Sequence, residues 1–199
     1  MSEHSIARSR IKLLTVLGFF LVPFFIAIIG YFFFPSWFTS AATVNHAPLV
    51  QPVVTLEPFT NLKIDESQLT LDSLKRKWTI VHRLDGGCSE NCEKALYNSR
   101  QTRHALGKDS GRVQRILLGS DIRLLENTGQ KHPDMSLVLR VQGGLDQQLA
   151  AVAVANDMAA DDALLVDPLG NIMMIIPSDL NPTDLLKDLK KLLKLSKIG

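Results

Sequence analysis

The chain has 199 residues, 46% of them hydrophobic, and a formal net charge of +2 at pH 7. That near-neutral balance, with no long basic run interleaved with aromatics, excludes nucleic acid as a natural partner. The length suffices for one domain plus an extra segment, and two cysteines are too few to frame such a domain, so the fold rests on its core.

The extra segment lies at the N-terminus. From Leu13 to Phe34 there are 22 residues without a charge, and at 1.5 Å per residue they give roughly 33 Å of helix, enough to cross a bilayer core. Arg8, Arg10 and Lys12 precede the run and the next ten residues carry no Lys or Arg. The positive-inside rule therefore places residues 1–12 in the cytoplasm and the rest of the chain outside. Tyr31 and Trp37 fall near the outer end, where amphipathic rings favour the headgroups, and Pro23 kinks the span without breaking it. The rival reading is a cleaved signal peptide with Ser40-Ala41-Ala42 as its small-residue site. The apolar run exceeds the roughly 7 to 15 residues of a secretory signal, so a retained anchor over 13–38 is expected.

Residues 39–68 read as a linker with extended pieces, because three prolines interrupt any period. The domain is then expected over 69–199. Residues 77–84, KWTIVHRL, alternate as a strand, with Trp78, Ile80, His82 and Leu84 on one side and Thr79, Val81 and Arg83 on the other. Asp85-Gly86-Gly87 breaks it. Ser89 suits an N-cap, Glu90 and Glu93 suit the positive end of a helix, and Cys92, Ala95, Leu96, Ser99 and Leu106 recur at helical spacing until Gly107. Residues 112–120 return as a strand parallel to the first, and 136–141 add a short element of undetermined type. Residues 163–177 form a hairpin about Asp167-Pro168-Leu169-Gly170-Asn171. Asn181 caps a last helix with Pro182 at its first position and a stripe of Leu185, Leu186, Leu189, Leu192 and Leu193. A βαβ unit, a hairpin and a closing helix make an α/β, thioredoxin-like domain behind a single transmembrane helix.

Cys88 and Cys92 fall where such a fold keeps its chemistry, at the joint between the first strand and its helix. Thiolates there gain from the helix dipole, which favours both metal capture and disulfide exchange. Soft thiolates select Cu(I) or Zn(II), and two sulfurs leave a zinc site incomplete. A metal clamp, a redox couple and a structural staple all remain open at this spacing. If the helix starts at Ser89 or Glu90, the two α-carbons lie about 6 Å apart, within disulfide range. Among other side chains, His82 and Met158 are candidate ligands. His104 lies some three turns from Cys92, Met173 and Met174 read as core, and Arg100, Arg103, Lys108, Arg112 and Arg115 read as a solvated basic face. His46 and His132 have no partner in sight.

The strand followed by Cys-x-x-x-Cys at a helix start, then LLVDPLGNIMMIIP and a final helix behind one anchor, resembles the Sco/SenC proteins. Two longer stretches, residues 92–118 and 166–199, are similar to Sco-like bacterial membrane proteins that accompany haem-copper oxidase assembly. The resemblance implies a thioredoxin-fold, copper-handling assembly factor for cytochrome c oxidase, anchored in the bacterial inner membrane with its domain in the periplasm. It carries Cys88 and Cys92 over as Cu(I) ligands or as the redox pair, with an oxidase subunit or another copper-handling protein as partner. The family completes its copper site with a histidine shortly before the strand ending at Val166, whereas this chain has no histidine after His132 and offers Met158, Asp161 and Asp162 there. A thiol-disulfide oxidoreductase, which usually has Cys-x-x-Cys and a facing cis-proline, and a scaffold that has lost its chemistry are the alternatives.

Overall fold

The structure, a computed structural model, describes residues 3–33, 45–196 and 198. Residues 1–44 and 45–199 form two compact units. In the first, α1 runs unbroken over Glu3–Phe33 with Pro23 inside it and exposes large apolar side chains such as Phe19, Phe24 and Phe32. Counting only described residues, no helix is long and apolar enough to cross a membrane. The anchor expected over 13–38 extends past the described end of α1 at Phe33. Trp37, the Ser40-Ala41-Ala42 site and the Tyr31 side chain lie outside the described residues.

The second unit is built on a six-stranded sheet. Its strands are β1 (Leu49–Thr55), β4 (Trp78–Leu84), β5 (Val113–Gly119), β6 (Met135–Leu139), β7 (Ala163–Val166) and β8 (Asn171–Ile176), in the order β1-β8-β7-β4-β5-β6. A separate hairpin, β2 (Thr60–Leu62) and β3 (Gln68–Thr70), leads into the single-turn α2 (Leu71–Leu74). β4, β5 and β6 run parallel, joined by α3 (Glu90–Ala105) and α4 (Ile122–Lys131), while β7, β8 and β1 are antiparallel to their neighbours. The central strands read as near-continuous apolar runs because both faces are covered. On one face Trp78, Ile80, Met174 and Ile176 meet Leu185, Leu189 and Leu193 of α6 (Pro182–Leu195). On the other, Val81, Ile116, Leu118 and Leu164 pack against Leu145, Leu149 and Val152 of α5 (Leu145–Ala155).

Three expectations change. The domain starts at Asn45 rather than 69: β1 pairs with β8, and Val50, Leu56, Phe59 and Leu69 are buried in the core. Pro52 concealed this strand, and β1 tolerates it because an edge strand needs only half its ladder bonds. The element at 136–141 is β6, pairing in parallel with β5. Helices α4 and α5 were not foreseen; α4 is capped by Asp121, which accepts from the Arg123 and Leu124 amides, whereas α5 begins at Gly144 with no side-chain cap.

The Asp167–Gly170 turn proves structural. Buried Asp167 accepts from the Leu169 and Asn171 amides and from Asn171 Nδ2, at 2.8–2.9 Å. Gly170 has φ +96°, and a Cβ there would lie 2.9 Å from Leu71 Cδ1, so both its backbone and its surroundings favour glycine.

The start of the domain is tied to α6 by one carboxylate. Asp188, fully buried within the apolar stripe, accepts from the His46 and Ala47 amides at 2.8 and 2.9 Å and meets His46 Nδ1 at 2.9 Å. Asp188→Ala leaves two backbone donors without that acceptor and is expected to cost about 2–4 kcal/mol. Urea unfolding of the full-length protein in detergent measures it; a loss below about 0.5 kcal/mol, the range of ordinary surface changes, would contradict this role.

Candidate functional site

β4 ends at Leu84, and the chain turns through Asp85-Gly86-Gly87 with Gly86 at φ +85°. Asp85 is held by Arg140 and by Arg83 Nη2 at 3.2 Å. The hydrogen bond from Arg140 is the largest influence keeping its carboxyl below the usual range. Ser89 caps α3 as expected, its Oγ accepting from the Cys92 amide at 3.0 Å, with Glu90 and Glu93 in the first turn. Cys88 and Cys92 form a disulfide, with their α-carbons 5.3 Å apart. Cys92 is 5% exposed and packs with Leu84, Leu96, Leu117 and Leu125, whereas Cys88 is only half-buried against this cluster. Cys88 is thus the more exposed of the pair, and Cys92 sits in the first turn of a helix.

The loop before β7 separates the three candidate third ligands. Asp161 Oδ2 accepts from Ser89 Oγ at 2.7 Å and so stands beside the cysteine loop. Asp162 instead accepts from the Ala159 and Ser178 amides at 3.0 and 2.9 Å, bracing its own loop, and Met158 packs against the α5-side core. Two sulfurs and a hard carboxylate do not make a soft three-donor set. Among the described residues no group of three His, Cys, Asp or Glu side chains could hold a metal ion.

Beneath α3 lies a polar network that sequence reading missed. Arg115, 1% exposed, bonds both carboxylate oxygens of Asp134 through Nη1 at 3.0 Å, donates from Nη2 to the Leu96 carbonyl at 2.6 Å, and from Nε to Ser99 Oγ at 3.1 Å. Ser99 Oγ also meets His82 Nε2 at 2.8 Å. Burial pushes the Asp134 carboxyl up, but Arg115 overrides this and holds it below the usual range. His82 is thus bonded beneath α3, a buried neutral ring: burial first, then Arg115 and His132, push its pKa down to about 3. His132 is buried as well and shifted down, chiefly by burial and then by Arg115.

The expected solvated basic face dissolves accordingly. Arg115 is interior, Arg103 lies 3.6 Å from Asp134, and Arg100 donates to the Lys131 carbonyl at 3.0 Å. Arg112 donates to the Leu193 and Ser196 carbonyls at the end of α6, leaving Lys108 as the exposed member. The signal was available: Arg115 alternates with Val113 and Leu117, so it had to share their buried face. His104 is exposed on α3, Met174 is core, and Met173 packs partly buried beside it. No proline immediately precedes β7, and the cis peptide bond among the described residues is Gln51-Pro52.

A family described as transmembrane-like, thioredoxin-like, C-terminal domain matches residues 78–196. No curated protein matches the chain. Among solved structures it is similar to Bradyrhizobium japonicum ScoI with copper bound, at 20% identity and TM-score 0.54, over 70% of this chain and all of that one. Yeast Sco1 with copper bound gives 15% identity and TM-score 0.59, over 70% and 92% of the two chains. The thioredoxin domain of a thiol-disulfide oxidoreductase from Bacteroides vulgatus gives 18% and 0.50, over 70% and 96%. At these identities the likeness is one of fold, and it bears out the thioredoxin-like architecture.

The buried imidazole predicts a pH dependence. An unfolded histidine binds its proton near 6.5 but folded His82 only near 3, so the unfolded chain takes up the proton first as pH falls. The stability this difference contributes is complete above about 6.5 and is lost on descending toward 3. Urea midpoints across that window should fall more steeply for the full-length protein than for His82→Gln; equal slopes would contradict a buried neutral ring.

Proposed function

Because the chain belongs to the family of transmembrane-like, thioredoxin-like C-terminal domains, we propose that it is a membrane-anchored assembly factor for cytochrome c oxidase that acts on the thiols of the oxidase copper site. The observation that carries this reading is the Cys88–Cys92 disulfide, with Cys88 half-buried and Cys92 buried in the first turn of α3. A partner thiolate attacks Cys88 Sγ, the Cys88–Cys92 bond breaks, and Cys92 leaves as a thiolate favoured by the helix N-terminus. A second partner thiol then releases Cys88. The partner gains a disulfide while this chain gains two electrons and two protons, and the reverse passage reduces a partner disulfide. The uncharged run from Leu13 to Phe34 supports the anchor, and the preceding Arg8, Arg10 and Lys12 support a cytoplasmic N-terminus with the domain in the bacterial periplasm.

The second reading takes Cu(I) as cargo, and the fold shared with copper-bound Sco structures favours it. Reduced Cys88 and Cys92 would hold the ion, with Asp161 the one of the three candidate side chains that is bonded to the cysteine loop, through Ser89. The absent soft third donor weighs toward thiol exchange.

Complementation of a deletion strain separates these readings from a scaffold that keeps the fold without the chemistry. The Cys88→Ser, Cys92→Ser double variant should insert in the membrane at normal level yet fail to restore oxidase activity; full restoration would leave only the scaffold. Titrating the reduced protein with Cu(I) divides the two thiol readings. Exchange predicts no stoichiometric complex, and a one-to-one complex lost in the double variant would favour cargo.

A further inference from the structure

The cysteine loop lies between two other loops at the same end of the sheet. β4 has β7 on one side and β5 on the other. Because β7 runs antiparallel to β4, its entering loop flanks the cysteine loop on one side, and the loop after β5, parallel to β4, flanks it on the other. On the β7 side Ser89 Oγ donates to Asp161 Oδ2 at 2.7 Å and ties the two loops together. On the β5 side there is a cleft of about 310 Å³, floored by Leu84 and Leu124 and walled by Gly86, Gly87, Gly119 and Ser120.

Three features suit this cleft to a polypeptide. Its volume is at the lower end of the range for ligand pockets, roughly 300–1,000 Å³, which fits a short piece of chain rather than a folded surface. Gly86 and Gly87 have nothing within 4 Å of where a Cβ would stand, so another backbone can approach theirs closely. Leu84 and Leu124 belong to the same apolar cluster as Cys88 and Cys92, so the floor runs on to the disulfide, and Ile122, 49% exposed, follows directly after the cleft residue Asp121.

We propose that this cleft is the docking site for an extended segment of a partner protein that carries a cysteine beside an aliphatic residue. The aliphatic side chain settles on Leu84 and Leu124 while the partner thiol reaches Cys88, the half-buried cysteine next to Gly87. Partner selection then falls to the β5 side of the motif, and the β7 side, where Asp161 is bonded to Ser89, takes no part. The proposal rests on the reading of Cys88 and Cys92 as an exchanging pair.

The test compares two reductants on the full-length oxidised protein in detergent: dithiothreitol, and a short unstructured dithiol peptide with leucine beside its first cysteine. Each passes two electrons and two protons to the pair and becomes a disulfide. Ser120 is exposed, so Ser120→Trp fills the cleft mouth from outside the core. Tyr97→Trp, on the exposed face of α3, serves as the control. The ratio of the peptide rate to the dithiothreitol rate should fall about tenfold in Ser120→Trp, because the peptide loses its alignment on the thiol, and should stay unchanged in Tyr97→Trp. A ratio unchanged in both variants, or lowered equally in both, would overturn the cleft while leaving exchange intact. A pair that dithiothreitol opens in no variant would overturn the exchange reading and the cleft with it. Concentration-dependent dimerisation that Ser120→Trp abolishes, with no change in the rate ratio, would show a second copy of this chain as the occupant and overturn the proposal.

Discussion

A single buried cation holds the site together. Arg115 lies on the face of β5 that is covered by α3, and its guanidinium is shared among Asp134, the Leu96 carbonyl and the Ser99 hydroxyl. The contacts bind separate pieces of the domain to the same charge: Asp134 leads into β6, Leu96 and Ser99 belong to α3, and through Ser99 the network reaches His82 on β4. A charge so buried cannot be left alone, and removing one partner of such a pair typically costs about 3–5 kcal/mol. That penalty makes the position of α3 on the sheet stiff. Since Cys92 lies one turn before Leu96, it also fixes where the disulfide stands.

The disulfide adds little to this frame. Its cysteines are four residues apart, and a loop that short removes little entropy from the unfolded chain. The cap, the apolar cluster beneath Cys92 and the Arg115 network position α3 without it. A bond that is not needed to hold the fold can open and close at small structural cost, which is the physical requirement for thiol chemistry. Asp161, held against Ser89, puts a hard carboxylate where a copper site calls for a soft donor, and this moves the reading from metal carriage toward exchange.

Much of this was legible in the sequence where the determinants are local. The alternation of β4, the glycine pair, the Ser89 cap and the helical spacing through Ser99 are carried by neighbouring residues and located the cysteine joint. The hairpin at Asp167 and the closing helix from Asn181 declare themselves in the same way. What escaped depends on distant pairing. β1 has three prolines nearby and becomes a strand only because β8 offers it an edge. α5 is largely alanine and valine, and so lacks the polar face that marks an amphipathic helix. Arg115 looked like surface charge because its partner, Asp134, lies in the turn before β6, nineteen residues away. Asp161 could be named as a candidate, but choosing it over Met158 and Asp162 required knowing which loop lies against Ser89.

The central claim is that α3 is held by the buried network and not by the disulfide. Amide hydrogen exchange of the full-length protein, followed with the cysteine pair oxidised and then reduced, tests it directly, because it reports local opening segment by segment. Protection of the amides from Leu96 to Thr102 should persist after reduction, with any loss confined to residues 86–92. If reduction strips protection from the whole of α3, the disulfide is a structural staple and the account fails.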